Sequence, residues 1–287
     1  MRHERCTGAS RLIAAAVLST TLLAPPSRAA STLKAAFGEG RNWLLVDLHN
    51  YSSETVTLPL SRVDAVDISA NGDKFAIVGE RDGKYGIWVW KRDESAPRLV
   101  ASAEGRYSDP AFGPEDWIYF SHSSSTGRRH TFGTYAQLYR VRVTGADFEQ
   151  MSDENGCHYG ATFRAGQLVY VHTSCSSQSW VKRQRVRRQA PVDVLISTIG
   201  SIAEASVSPD GQLVMYVEDQ PDSFVVRELN AGGSPRQRLV LRRSMQRVRP
   251  VYGRHGNEIL YQHEGKVWVL RDGKSRVIAV LGQRSAL

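Results

Sequence analysis

Residues 207–214, which read VSPDGQLV, are the stretch that decides the fold, because they combine a tight turn with the start of a β-strand. Asp210 and Gly211 are residue types that tight turns favour: glycine reaches positive φ without steric cost, and aspartate bonds to its own backbone. The apolar run that follows the turn is rich in β-branched and aromatic residues, as strands are. The stretch therefore predicts a hairpin.

The same order of turn, apolar run, gap and further alternating runs occurs five times along the chain. The first apolar positions after the turns are Phe75, Trp117, Leu168, Leu213 and Ile259, at intervals of 42, 51, 45 and 46 residues. Helical solenoids can share such a period, so the runs themselves must decide. Runs such as 87–90 (IWVW) and 266–270 (KVWVL) are short and typical of strands. Four short strands in about 45 residues indicate a propeller blade.

The N-terminal residues 33–60 match only the later part of this repeat, because they have no preceding turn segment. We expect them to form a blade that lacks its innermost strand, which residues 281–287 would supply. The predicted fold is all-β: a six-bladed β-propeller of four-stranded antiparallel blades, with one blade composite or incomplete at the N-terminus. A five-bladed ring with an added N-terminal sheet is the alternative.

The turn at residues 207–214 resembles the Ser-Pro-Asp-Gly signature of TolB-type, WD40-like propeller repeats, and residues 68–72 (ISANG) and 111–114 (AFGP) are weaker copies. The resemblance implies a propeller across nearly the whole mature chain. It implies little about function, because TolB, prolyl oligopeptidases and oligogalacturonate lyases share such blades. The α/β domain of TolB has no counterpart here, and the sequence lacks the Gly-x-Ser-x-Gly elbow of a serine hydrolase.

The first 29 residues have the order of a secretory signal peptide. Arg2, Arg5 and Arg11 precede the uncharged run 12–23 (LIAAAVLSTTLL), and small residues follow up to Ala29. The apolar run is too short to span a bilayer, which takes roughly 20 residues. We predict cleavage after Ala29, no transmembrane anchor in the mature chain, a single propeller domain over residues 30–287, and a periplasmic or secreted location.

Cys157 and Cys175 are the two cysteines that remain after such cleavage. An even pair in an exported chain predicts a disulfide, since oxidising compartments preserve disulfides. Two buried thiols are the alternative. Their spacing lacks the Cys-x-x-Cys pattern of zinc and redox sites.

The formal net charge is +8, and removal of residues 1–29 leaves 33 basic and 28 acidic residues. Two clusters hold much of the excess: Lys182, Arg183, Arg185, Arg187 and Arg188, and then Arg242, Arg243, Arg247 and Arg249. An exported chain rarely meets nucleic acid, so we expect none as a partner. Arg185, Arg187 and Arg188 are the candidate binding residues for an acidic envelope protein or an anionic cell-wall polymer. A solvated hairpin that resists aggregation is the alternative.

Histidines are the residues most suited to chemistry. We place His122, His158, His172 and His263 on the face where the first strand of each blade begins. His158, His172 and His263 are the candidate ligands of a divalent metal. Such a site implies a metal-dependent polysaccharide lyase or hydrolase, in line with the resemblance to the oligogalacturonate lyases. Capping of neighbouring loops is the competing role, and it predicts no cofactor.

We therefore predict an exported, non-catalytic propeller that acts as a protein-binding scaffold at a bacterial-type cell envelope. The lyase or hydrolase with a site at the channel mouth is the alternative function.

Overall fold

A computed structural model of the chain describes residues 34–124, 136–152, 155–174, 178–185, 191–230, 233–244 and 248–281. These residues form six antiparallel sheets, and within each sheet the strands lie in chain order. Each sheet is one blade, so the prediction of an all-β propeller with six blades is confirmed. Apart from the strands, the described ranges contain one short 3-10 turn, Pro114–Asp116. No helix in them is both long and apolar enough to span a bilayer.

The first three blades contain eleven strands. Blade 1 consists of β1 (Lys34–Glu39), β2 (Asn42–Asp47) and β3 (Ser53–Thr57). Blade 2 consists of β4 (Arg62–Ile68), β5 (Lys74–Arg81), β6 (Lys84–Lys91) and β7 (Arg98–Ala101). Blade 3 consists of β8 (Arg106–Phe112), β9 (Trp117–Ser123), β10 (Gln137–Arg142) and β11 (Glu149–Gln150).

The last three blades have four strands each. Blade 4 consists of β12 (Cys157–Arg164), β13 (Gln167–Thr173), β14 (Gln178–Arg185) and β15 (Val192–Ile199). Blade 5 consists of β16 (Ser201–Val207), β17 (Val214–Asp219), β18 (Ser223–Leu229) and β19 (Pro235–Arg242). Blade 6 consists of β20 (Val251–Tyr252), β21 (Ile259–His263), β22 (Lys266–Arg271) and β23 (Lys274–Val280).

Blade 1 is the incomplete blade that the sequence predicts, with three strands among the described residues. Residues 282–287, most of the segment expected to supply its missing strand, lie outside the described residues. Blade 1 nevertheless packs against blade 6, because Phe37, Leu44 and Val46 share one apolar cluster with Leu260 and Val267. The ring is therefore closed by apolar contact between its first and last blades.

Six apolar clusters fill the six interfaces between neighbouring blades. A fully buried Val, Leu or Phe contributes about 1.5–3 kcal/mol, so these clusters supply most of the stability of the ring. Polar links add to the closing interface: the backbone N–H of Gly38 donates to Oε1 of Gln262 at 3.1 Å. Nearby, the Tyr51 hydroxyl donates to the carboxylate of Glu258.

The Ser-Pro-Asp-Gly turn owes its shape to its own side chains. The backbone N–H of Leu213 donates to Oγ of Ser208 at 2.9 Å, and that of Gln212 donates to Oδ1 of Asp210 at 3.0 Å. Gly211 has a φ of 76°, which glycine adopts without steric cost. The signature is thus a self-contained turn that starts the second strand of a blade, which explains why it marks fold rather than function.

Candidate functional site

The ring has two faces, which we name by their connections. The turn face carries the turns between the first and second strands of the blades, such as residues 165–166 in blade 4. The loop face is the opposite one, where the first strands begin and the second strands end. The first strands line the central channel. Four of them, β4, β8, β12 and β16, carry a register shift in their pairing with the second strand. Such bulges turn side chains away from the regular alternation.

A bridge of charged side chains crosses the channel. Nη2 of Arg249, in the segment that leads into blade 6, lies 2.6 Å from Oδ1 of Asp109 in blade 3. Blades 3 and 6 are opposite each other in a ring of six. Nε of Arg249 also lies 3.4 Å from Oε1 of Glu204 in blade 5. Both carboxylates are buried, with 4% of Asp109 and 7% of Glu204 exposed. One guanidinium therefore ties three blades together.

Asp109 owes its position to the bulge of β8, where it has a φ of 51°. Its second carboxylate oxygen accepts a hydrogen bond from the backbone N–H of Gly160 in blade 4, at 3.1 Å. Gly160 lies in the bulge of the neighbouring strand β12. The two bulges thus face each other, and a channel charge is held by a backbone donor from the next blade.

Two further charged residues belong to the channel. Oδ2 of Asp67, in β4, accepts a hydrogen bond from the backbone N–H of Phe112 at 2.7 Å. Asp67 also interacts electrostatically with Arg164 at the end of β12 and with Arg249. Blades 2, 4 and 6 are not neighbours, so these charges meet across the channel. Burial raises the pKa of Asp67 and lowers the pKa of Arg164, because both are removed from bulk water.

Sequence reasoning missed all five of these channel residues. The sequence places Arg249 in a basic cluster, because four arginines in eight positions are typical of a solvated surface. Asp67 and Asp109 each lie eight positions before the first apolar residue of the following run, Phe75 and Trp117, and Glu204 lies nine positions before Leu213. This shared spacing is the signal that could have found them, because an acid inside a buried first strand needs a partner from another blade.

His158 and His172 lie directly opposite each other on β12 and β13 of blade 4. Their rings stack with centroids 4.4 Å apart and planes 16° apart, and both side chains are buried. Nε2 of His172 bonds the backbone oxygen of Asn155 at 3.0 Å. His263 is also buried, but it ends β21 in blade 6, and Nε2 lies 3.6 Å from the Glu264 carboxylate. Blade 5 separates it from the pair.

His122 repeats the arrangement of His172 one blade earlier. It lies near the end of the second strand of blade 3, and its Nε2 bonds the backbone oxygen of Glu104 at 3.0 Å. In both blades the bonded oxygen belongs to the loop that leads into the first strand. The geometry therefore supports loop capping. No group of three His, Cys, Asp or Glu side chains within the described ranges is arranged to hold a metal ion.

The basic cluster of blade 4 is only partly described. Arg185 ends β14 and is exposed, whereas Arg187 and Arg188 lie outside the described residues. Arg183 pairs with Asp193 of the neighbouring strand β15 at 3.0 Å. Lys182 is buried. The second cluster splits as well, because Arg243 pairs with Asp219 while Arg249 lies in the channel.

The outer strand of blade 4 exposes apolar side chains beside Arg185. Val194 is 56% exposed and Ile199 is 92% exposed, and Val192 lies on the same strand. We call β15 together with Arg185 the blade 4 edge. Its only charged residue besides Arg185 is Asp193, which forms a salt bridge with Arg183.

The predicted disulfide concerns the same blade: Cys157 lies opposite Thr173, and Cys175 lies outside the described residues.

Fold and channel together define the class of the protein as a closed six-bladed propeller. No protein-family model matches the chain. A stretch of 168 residues is 34% identical to an uncharacterized protein of Agrobacterium fabrum strain C58, covering 53% of this chain and 54% of that protein. The chain thus spans about half the length of the curated relative that it matches.

Several solved structures share the fold. A protein described as TolB of Agrobacterium tumefaciens superposes with a TM-score of 0.60 at 17% identity, over 80% of this chain and 90% of that chain. A chain of the nidogen/laminin complex gives 0.64 at 10% identity, over 84% and 91%. Oligogalacturonate lyase in complex with manganese gives 0.55 at 12% identity, over 83% and 70%. At these identities the likeness shows the fold alone, which is that of a β-propeller.

Proposed function

We propose that the chain is an exported, non-catalytic propeller that binds a protein partner at the cell envelope, in the periplasm or outside the cell. The blade 4 edge is the observation that carries the proposal. Val194 and Ile199 expose 56% and 92% of their surface on β15, beside which the described part of the chain places no further strand. An edge strand of this kind presents unpaired backbone groups and apolar side chains to another chain.

Comparison with the other outer strands supports this choice. β19 reads PRQRLVLR and β23 reads KSRVIAV, so both carry the proline or basic residues that protect edges from association. β15 reads VDVLISTI and has no such residue. Segments with high β-propensity, low net charge and no proline associate readily when they are exposed. A partner that covers β15 would account for an apolar strand without proline or basic residues at this exposed position.

The charge beside the edge indicates the chemistry of the partner. Arg185 is exposed, and Arg187 and Arg188 follow it closely in the sequence. Clustered arginines favour carboxylate groups, with which a guanidinium forms paired hydrogen bonds. We therefore propose a partner with an acidic, extended segment. An anionic cell-wall polymer would meet the arginines but would gain nothing from Val194.

The experiment is crosslinking in intact envelopes, followed by purification of the mature chain and identification of the crosslinked protein. We expect one defined partner, and we expect its yield to fall in both the R185E/R187E/R188E and the V194E variants. R242E and V240E are matched controls on β19, where Arg242 is exposed and Val240 is 51% exposed. A yield that falls equally in the controls, or no defined partner in any variant, would refute the proposal.

The alternative function is a metal-dependent polysaccharide lyase or hydrolase. Its support is the fold likeness to the manganese complex of oligogalacturonate lyase and the contact between His158 and His172. The donor set does not fit well: the two rings are stacked and buried, and His263 belongs to another blade. Metal analysis of the purified mature chain tests it. Stoichiometric metal that is lost in H158A/H172A/H263A would establish the site, and its absence would remove this alternative.

A further inference from the structure

Arg164 is a channel cation that forms no contact ion pair with any residue in the described ranges. It is the last residue of β12, at the turn-face mouth of the channel, and its side chain is half-buried. Its only interaction among the described residues is a long-range one with Asp67, without a hydrogen bond or a contact ion pair. A guanidinium taken out of bulk water is costly unless it is paired.

The other described charges of the channel are not ion-pair partners of Arg164. Arg249 takes the carboxylates of Asp109 and Glu204, so neither of these is directed at Arg164. Asp67 is held by the backbone N–H of Phe112 at 2.7 Å, and it interacts with Arg164 without a contact ion pair. Among the residues that the structure describes, no carboxylate forms a contact ion pair with Arg164.

We propose that Arg164 anchors an oxyanion, a carboxylate or a phosphate group, that enters the channel from the turn face. A guanidinium suits either group because its planar fork gives two parallel hydrogen bonds. The partial burial of Arg164 lowers the local dielectric constant, and such a bond is stronger there than in bulk water. The site lies apart from the blade 4 edge and does not depend on the proposed partner.

Asp67 sets the selectivity of this site. Its carboxylate, when ionised, competes with the incoming anion for Arg164 and repels it. Removing that charge while keeping the side-chain shape should strengthen anion binding, whereas removing the arginine should weaken it. The opposite signs of these two changes separate an anion site from a structural Arg164–Asp67 pair, which either change would simply weaken.

The test is calorimetric titration of the mature chain at neutral pH and constant ionic strength. The probes are acetate, inorganic phosphate, and a short neutral peptide with either a free or an amidated C-terminus. We expect saturable binding of at least one anion, weakened on the order of 10- to 100-fold in R164Q and less in R164K. D67N should bind more tightly. R106Q, at an exposed arginine that begins β8 on the loop face, is the control and should bind as the unaltered chain does.

Comparison of the probes shows which kind of anion the site binds. Preference for the free over the amidated peptide indicates a carboxylate ligand, and preference for phosphate indicates a phosphorylated one. Unfolding midpoints without anion show whether R164Q and D67N are folded, and R164K replaces R164Q if that variant is not. No saturable binding to the unaltered chain, equal binding to R164Q, or weaker binding to D67N would overturn the proposal. Unchanged crosslinking of R164Q at the blade 4 edge would keep this result separate from the proposed function.

Discussion

At the scale of the single residue, Arg249 has the largest structural role in the channel. Its guanidinium contacts Asp109 and Glu204, which come from blades 3 and 5, and both carboxylates are buried. A charge in the interior is tolerated because it is paired, and removal of one partner weakens that pairing. The arginine therefore holds opposite sides of the ring at a fixed distance.

The variant R249Q should lower the free energy of unfolding by about 3–5 kcal/mol, because it removes the cation from two buried carboxylates. The control is R243Q, which breaks an exposed pair with Asp219 at 3.1 Å and should cost less than about 1 kcal/mol. Urea denaturation measures both. Equal effects of the two variants would show that the channel bridge contributes no more than a surface pair.

Position 156 requires glycine for two reasons: neighbouring atoms lie close to its Cα, and its backbone has a positive φ. Its φ is 126°, and a Cβ atom there would lie 2.5 Å from Nε2 of His172 and 2.6 Å from the backbone oxygen of Thr173. G156A should therefore destabilise the chain more than G83A, by at least ~1 kcal/mol. Gly83 has a φ of 73° and open space around it, so its substitution reports conformational strain alone. A ranking in the opposite order, measured by thermal unfolding, would contradict the described packing.

At the scale of the element, the strand-end histidines fasten each blade to the loop before it. His122 and His172 end equivalent strands and bond equivalent backbone oxygens, of Glu104 and Asn155. The sequence predicts a shared register for His172 and His263, because each lies four positions after the first apolar residue of its run, Leu168 and Ile259. It does not predict the bonded oxygen, since the loop before each first strand varies in length and composition.

This fastening predicts a dependence of stability on pH. Burial lowers the pKa of His122, so between the folded and unfolded values the unfolded chain binds more protons. The contribution of His122 is complete above the unfolded pKa, about 6.5, and is lost as the pH falls. H122Q should flatten the decline in unfolding midpoint between neutral and mildly acidic pH. H255Q, at an exposed histidine of blade 6, should leave the decline unchanged, and an equal change in both would contradict this assignment.

At the scale of the whole molecule, the sequence predicts the architecture well and the channel poorly. Each blade is encoded locally, by turn residues such as Asp210 and Gly211 and by alternating runs, so the repeat reveals it. The bridge between Arg249 and Asp109 joins residues 140 positions apart. Which first-strand acid meets which arginine depends on bulges and on the closure of the ring, and neither leaves a periodic signal.

Export of the chain makes a prediction of its own. Protein recovered from the periplasm or medium should begin after Ala29, as the small residues before that position predict. Its mass should be lower than that of the reduced form by two hydrogens if Cys157 and Cys175 are bridged. Intact-mass analysis with and without reductant measures both. A chain that retains residues 1–29 in the cytoplasm would contradict export, and an unchanged mass on reduction would contradict the disulfide.

Site-specific photocrosslinking tests the binding function most directly. A photoreactive amino acid placed at Val194 on the blade 4 edge, or at Val240 on the corresponding strand of blade 5, samples two similarly exposed positions. Irradiation of intact envelopes should yield a defined crosslinked protein from position 194 and none from position 240. The same product from both positions, or no product from position 194, would contradict the proposal that this propeller binds its partner along the outer strand of blade 4.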